Sequence, residues 1–250
     1  MRTPALTVVF AAIGSLAAAQ APTLSPLTRQ FVSVDTPIVA LTHVRVVDGT
    51  GAAPAEDQTI IIRDGKIAAV GSAGSVPIPA GAQVMDLTGH TVIPGFVGLH
   101  DHTFYTTSAR SVQSNSSAPR LYLAGGVTTI RTTGSFSPYS EVNLKRSIER
   151  GLVPGPRMYI TGPYLTGETG VGSMENLLTP DAARRVVNYW ADEGATWLKF
   201  YTTVSREVMG AAIQEAHKRG LKVTGHLCSV GYREAVESAY RVMFEKWAKA

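Results

Sequence analysis

The chain has 250 residues, of which 44% are apolar, 17% charged and 8% aromatic, with a mean hydropathy of +0.07. Those proportions exclude a disordered tail, a collagen and a coiled coil, and they leave ample apolar material for one large or two modest cores. The net charge of +4, spread without a basic run, argues against nucleic acid as a partner, and the single cysteine, Cys228, excludes an intrachain disulfide or a thiolate-rich zinc site.

Arg2 precedes an apolar stretch from Ala5 to Ala19 that ends in Ala17-Ala18-Ala19-Gln20-Ala21. A positive start, an apolar centre and an Ala-x-Ala ending predict a secretory signal peptide over residues 1–21, cleaved after Ala19 or Ala21. The other reading, an anchoring helix, needs about 20 uninterrupted apolar residues, and Pro22 follows at once. The mature chain is therefore expected in the periplasm or outside the cell, without a membrane partner. Residues 22–37, with three prolines, read as a tether.

Residues 38–93 predict a small antiparallel β unit. Ile38 to Val47 favours extended chain, and Thr59–Arg63 and Lys66–Val70 flank Asp64-Gly65, a strong two-residue hairpin signal. Val84–Leu87 and His90–Ile93 flank Thr88-Gly89 in the same way. His43 and His90 fall here with no chemical partner close in sequence.

From residue 94 to 250 the pattern alternates strand and helix. Strands are predicted at Phe96–His102, Val127–Thr132, Arg157–Gly162, Thr196–Tyr201, Lys222–Leu227 and Arg241–Trp247. Helices are predicted between them at Ala118–Ala124, Tyr139–Arg150, Pro180–Glu193, Ser205–Arg219 and Tyr232–Ala239. Such alternation makes parallel strands with crossover helices. The Ser/Thr/Asn-rich stretch 106–117 and the glycine-rich stretch 162–179 read as loops over the strand ends.

Chemistry gathers at three of those strands. His100-Asp101-His102 follows the apolar run Val97-Gly98-Leu99. Alternation along a strand puts the two imidazoles on one face, about 6–7 Å apart, where both can reach one metal ion while Asp101 points away. Lys199 lies in Trp197-Leu198-Lys199-Phe200-Tyr201, an otherwise apolar strand. It is either a solvent-facing lysine or a buried one; a buried neutral amine is nucleophilic and reacts with carbon dioxide to form an anionic carbamate ligand. His226 closes the short strand that starts at Lys222; alone, it is as readily a hydrogen-bonded core histidine as a ligand. In a barrel, however, strand ends of this polarity converge on one site.

These residues, with their surrounding blocks, resemble the metal-dependent amidohydrolase superfamily, and in particular its exported branch similar to imidazolonepropionases and Xaa-Pro dipeptidases. The blocks are Asp48-Gly49-Thr50-Gly51, Asp64-Gly65-Lys66-Ile67, Val92-Ile93-Pro94-Gly95 leading into His100-Asp101-His102, Gly125 to Thr129, Gly151 to Arg157, Gly194 to Lys199, and Gly225-His226. The resemblance implies an α/β fold, a (β/α)8 barrel with about six strands present, beside a small β-sandwich-type unit. It implies one or two divalent ions, usually zinc. His100 and His102 would bind the first ion, His226 the second, and a carbamylated Lys199 would bridge them. The implied reaction is hydrolysis of an amide or related C–N bond in a small molecule such as a cyclic amide or dipeptide.

Family members carry a further metal histidine at the end of the sixth strand, where this chain reads Val242-Met243-Phe244-Glu245-Lys246-Trp247. Strands seven and eight and a metal-binding aspartate would lie beyond Ala250. The resemblance therefore also admits an inactive exported remnant, a frameshifted or truncated product, or a homo-oligomer that closes the barrel between chains.

Overall fold

The computed structural model describes residues 22–107, 110–170, 172–226 and 228–235. The expected signal segment and the expected sixth strand, with Glu245 and Lys246, lie outside the described residues, as does Leu227.

Residues 22–37 are more than a tether. Ser25 caps a one-turn helix, α1 (Pro26–Arg29), by accepting the Thr28 N–H. The Ser25 N–H donates to the Gly151 carbonyl (2.9 Å) and its hydroxyl to the Leu152 carbonyl (2.8 Å). Prolines remove donors without preventing this docking, because side-chain and backbone groups around them still find acceptors.

The β unit is one five-stranded sheet: β1 (Ile38–Val46), β2 (Ala55–Arg63), β3 (Lys66–Ser72), β4 (Gln83–Asp86) and β5 (Thr91–Val92). The β2–β3 hairpin forms at Asp64-Gly65, both at positive φ (49° and 72°), as a tight hairpin turn requires. The expectation of a purely antiparallel unit is corrected, because β4 and β5 pair with β1 in parallel. Local turn chemistry specifies hairpins but not the non-local return of a later strand. The described residues form a single sheet here, not a sandwich. His43 is not alone: at φ 57° it turns its Nδ1 to within 2.8 Å of Asp57 Oδ1, and that hydrogen bond raises its pKa.

The second region runs β6 (Phe96–Asp101), β7 (Phe104–Thr106), β8 (Ser111–Gln113), α2 (Ala118–Ala124), β9 (Val127–Thr132) and α3 (Pro138–Glu149). It continues through β10 (Arg157–Tyr159), β11 (Tyr164–Thr166), β12 (Glu175–Asn176), α4 (Pro180–Asp192), β13 (Trp197–Phe200), α5 (Arg206–Lys218), β14 (Lys222–Gly225) and α6 (Tyr232–Ala235). The two stretches read as loops hold a β7–β8 hairpin and the strands β11 and β12. Polar and glycine-rich sequences lack the apolar alternation that marks a strand, yet their backbones still pair.

All the long pairings are parallel. One sheet has the order β10-β9-β6 and another β12-β11-β13-β14, joined by a bridge between Ser135 and Pro163. This is an open arc of parallel strands rather than a closed barrel among the described residues. Helices cover its outer face. Leu165, Leu198, Phe200 and Val223 pack under α4 and α5 with Val187, Trp190, Met209 and Ile213, while Ile130, Met158 and Ile160 pack with Val142 and Leu144 of α3. No helix among the described residues is long and apolar enough to cross a membrane.

Candidate active site

The period of two along each strand turns this outer core into a rule for the inner face. Leu198 and Phe200 are fully buried beneath the helices, so Lys199 between them projects to the concave side. Val223 faces the helices, so Thr224 and His226 project inward beside it. Lys199 is 3% exposed, which removes the reading of a solvent-facing lysine. Among the described residues it has no carboxylate partner, and burial followed by the charge of Arg131 lowers its pKa.

His100 and His102 lie side by side, ring centroids 5.6 Å apart and nearly perpendicular. They stand where the β6–β9 ladder is irregular: Gly98 faces Ile130 and Asp101 faces Thr132, three steps on one strand against two on the other. Such a bulge re-aims side chains and leaves part of the strand without ladder bonds. Side chains take over there. The Arg131 guanidinium donates to the Leu99 carbonyl (Nε, 2.8 Å), and the Tyr122 hydroxyl donates to the His102 carbonyl (2.8 Å). Asp101 points the other way, towards Tyr122, and burial raises its pKa. Burial, with Asp101 beside it, pushes the Tyr122 phenol up to about 12.

His226 ends β14, its N–H bonded to the Phe200 carbonyl (3.1 Å). The Lys199 charge reaches all three imidazoles. Burial first, then Lys199, lowers the pKa of His100 and of His226; burial first, then His100, lowers that of His102. All three shifts favour the neutral imidazole. His102 Nδ1 is buried with no hydrogen-bond partner. Among the described residues no three His, Cys, Asp or Glu side chains converge closely enough to hold an ion by themselves.

The sequence reading missed what surrounds these four. An aromatic arc runs His102–Phe104–Phe136–Tyr164–Tyr201–His226, with successive ring centroids 4.7 to 5.2 Å apart. Tyr164 reaches this place because Gly134, at φ 86°, has no side chain; a Cβ there would sit 2.4 Å from the Tyr164 ring. Burial, with Glu141 nearby, raises the Tyr164 phenol to about 12. Glu141, in the first turn of α3, is fully buried, and burial pushes its carboxyl up to about 7 against the opposing hydroxyls of Thr132, Ser135 and Thr103. A lone glutamate near a helix start reads as a solvated residue that favours the helix dipole. Only the tertiary fold shows it turned inward.

Comparison with known proteins bears on the family and the fold. The model of the amidohydrolase family matches residues 91–243, more than half of the chain. The chain is 38% identical over 119 residues to the deacetylase Atu3266 of Agrobacterium fabrum, covering 45% of this chain and 28% of that protein. It is 32% identical over 132 residues to the dihydroorotase of Anaeromyxobacter dehalogenans, covering 50% and 29%. A solved structure of a putative prolidase from Bifidobacterium longum superposes with a TM-score of 0.68 at 31% identity, over 80% of this chain and 52% of that one. The chain thus spans less than a third of the length of these curated relatives and about half of the solved one. The parallel strand-and-helix order and the span of the family match, over more than half of the chain, lead to one conclusion: the chain belongs to the amidohydrolase family.

Proposed function

We propose that this chain supplies the metal-binding face of a hydrolase that cleaves an amide or related C–N bond in a small molecule. The observation that supports the reading is the His100–His102 ring pair, 5.6 Å apart at the end of β6, together with the buried Lys199 on β13 and His226 after β14, whose charges the pKa shifts couple to that pair. These residues fit a divalent ion, in our reading zinc. Burial favours the neutral imidazoles, and among the described residues the His102 Nδ1 and the Lys199 amine have, respectively, no hydrogen-bond partner and no carboxylate. A bound zinc ion supplies Lewis acidity and lowers the pKa of a coordinated water towards 7.

The chain's own residues do the rest. His100 and His102 would hold one ion and His226 a second. Lys199, desolvated and therefore easily deprotonated, would add through Nζ to the carbon of carbon dioxide, releasing one proton and leaving a carbamate whose oxygens join the two positions. The bulged end of β6, pinned through Leu99 and His102 by Arg131 and Tyr122, would keep the two imidazoles aimed together. Phe104, Phe136, Tyr164 and Tyr201 would limit water on one side of the site. That relatives are named deacetylase, dihydroorotase and prolidase supports C–N hydrolysis as the reaction class. We also propose export of the chain by cleavage of residues 1–21, which N-terminal sequencing of secreted material would check.

The deciding experiment is metal analysis of the purified 250-residue chain beside His100→Ala and Lys199→Ala, followed by hydrolysis assays with N-acyl amino acids, cyclic amides and dipeptides. Stoichiometric zinc in the parent, lost in both variants, with zinc-dependent turnover, supports the enzyme. Zinc without turnover of any amide leaves a metal-binding remnant. Absence of zinc sinks the reading.

A further inference from the structure

The sheet holds the His100–His102 segment only at Asp101, which pairs with Thr132. The β6–β9 ladder breaks between Gly98 and Asp101, and past Asp101 the described backbone bonds of this segment are Thr133 N–H to the Asp101 carbonyl (3.2 Å) and Ser114 N–H to the Thr103 carbonyl (2.8 Å). Thr103, next to His102, is fully buried, and its hydroxyl donates to Glu141 Oε1 (3.2 Å). Gln113 donates from its amide to the same hydroxyl (2.8 Å) and to the Thr103 carbonyl (3.0 Å). Glu141 itself is fully buried, and the hydroxyls of Thr132, at the end of β9, and of Ser135, just past it, lie near enough to oppose the rise of its pKa. Its second oxygen, Oε2, is buried without a partner.

A carboxyl in such a place is costly. An apolar side chain of similar size would avoid the desolvation, and an unpartnered buried oxygen adds to the penalty. What the carboxyl does achieve is geometric. It joins three pieces of chain: the residue after His102, the end of β9 and the first turn of α3. We propose that Glu141 is a positioning residue that fixes the His102–Thr103 peptide, and through it the aim of the His100–His102 pair. It acts through the Thr103 hydroxyl. The inference rests on the reading of that pair as metal ligands, although the positioning itself does not require an ion.

The test uses the 250-residue chain with Glu141→Leu, Thr103→Val and Glu141→Gln. Zinc affinity is measured by competition with a chromophoric chelator well below the unfolding temperature, and hydrogen–deuterium exchange is followed in the metal-free protein. Removing a partner that orients a ligand costs about 10- to 100-fold in metal affinity. Glu141→Leu and Thr103→Val should each show a loss of that size. Glu141→Gln, which keeps an acceptor for the Thr103 hydroxyl, should stay within about threefold of the parent. In the metal-free protein the first two variants should speed exchange across residues 100–114 and leave α4 and α5 unchanged. Unaltered affinity and exchange in Glu141→Leu and Thr103→Val would overturn the inference, as would a glutamine variant as weak as the leucine one. If the parent binds no zinc, the ligand reading fails, and the exchange experiment alone decides the role of Glu141. Thr103→Val is near-isosteric and keeps the test available should Glu141→Leu fold poorly.

Discussion

Burial separates Glu141 from every other carboxylate among the described residues, and its protonation links to stability. Its pKa rises from the ordinary 4.5 to about 7 in the folded chain. Between those values the folded state keeps a proton that the unfolded state has released, so this group makes stability fall as pH rises from 4.5 to 7, by up to about 3 kcal/mol. The lowered pKa values of His100, His102 and His226 act the other way. Their unfolded forms take up protons that the folded forms refuse, so stability is lost as pH falls below 6.5. Urea titrations of the metal-free chain across pH 4 to 8 read the sum of these opposing slopes, and Glu141→Gln should remove the first, so that its stability rises more steeply with pH between 4.5 and 6.5 than the parent's. The histidines are legible in sequence because His-x-His on a strand has a geometric meaning. Glu141 is not legible, because one charged residue in a helical first turn looks the same whether it faces water or a neighbouring strand.

At the level of elements, strand alternation decides the fate of Lys199. Leu198 and Phe200 are both at 0% exposure among α4 and α5 residues, and their packing holds the intervening lysine on the concave face. Leu198→Ala should therefore cost about 2–5 kcal/mol, from lost transfer energy and a residual cavity, read as a shift of the denaturation midpoint. Zinc content should fall with it if β13 shifts. The helices were readable: Thr179 and Ser205 each accept an N–H three residues on, and α4 and α5 begin at or next to the expected positions. The β7–β8 hairpin and β11–β12 pair were not readable. Each is only two or three residues long and flanked by polar or glycine-rich chain, too short to show a period of two, so the pairing depends on where distant chain positions it.

Taken as a whole, the arc presents an apolar margin. Phe96, Val97 and Leu99 of β6 are 55%, 58% and 54% exposed, and among the described residues β6 pairs only with β9. An edge strand with apolar side chains is an association hazard. Val97→Lys and Leu99→Lys should reduce light scattering and binding of a hydrophobic dye by the 250-residue chain, with its unfolding temperature little changed. Scattering and dye binding equal to the parent's would show that this margin is covered in solution.

Amino-acid order alone determined the alternation of strand and helix after residue 94, the Asp64-Gly65 hairpin, and the identity of the three histidines and one lysine with chemical capacity. Those features depend on neighbours within a few residues: turn φ angles, side-chain period and helix ends. Tertiary structure decided that Lys199 is buried, that β4 and β5 return parallel to β1, that residues 22–37 dock beside α3, and that Glu141 faces the His102 segment. Each of these depends on which distant surface the chain meets, and burial, not local preference, sets that choice.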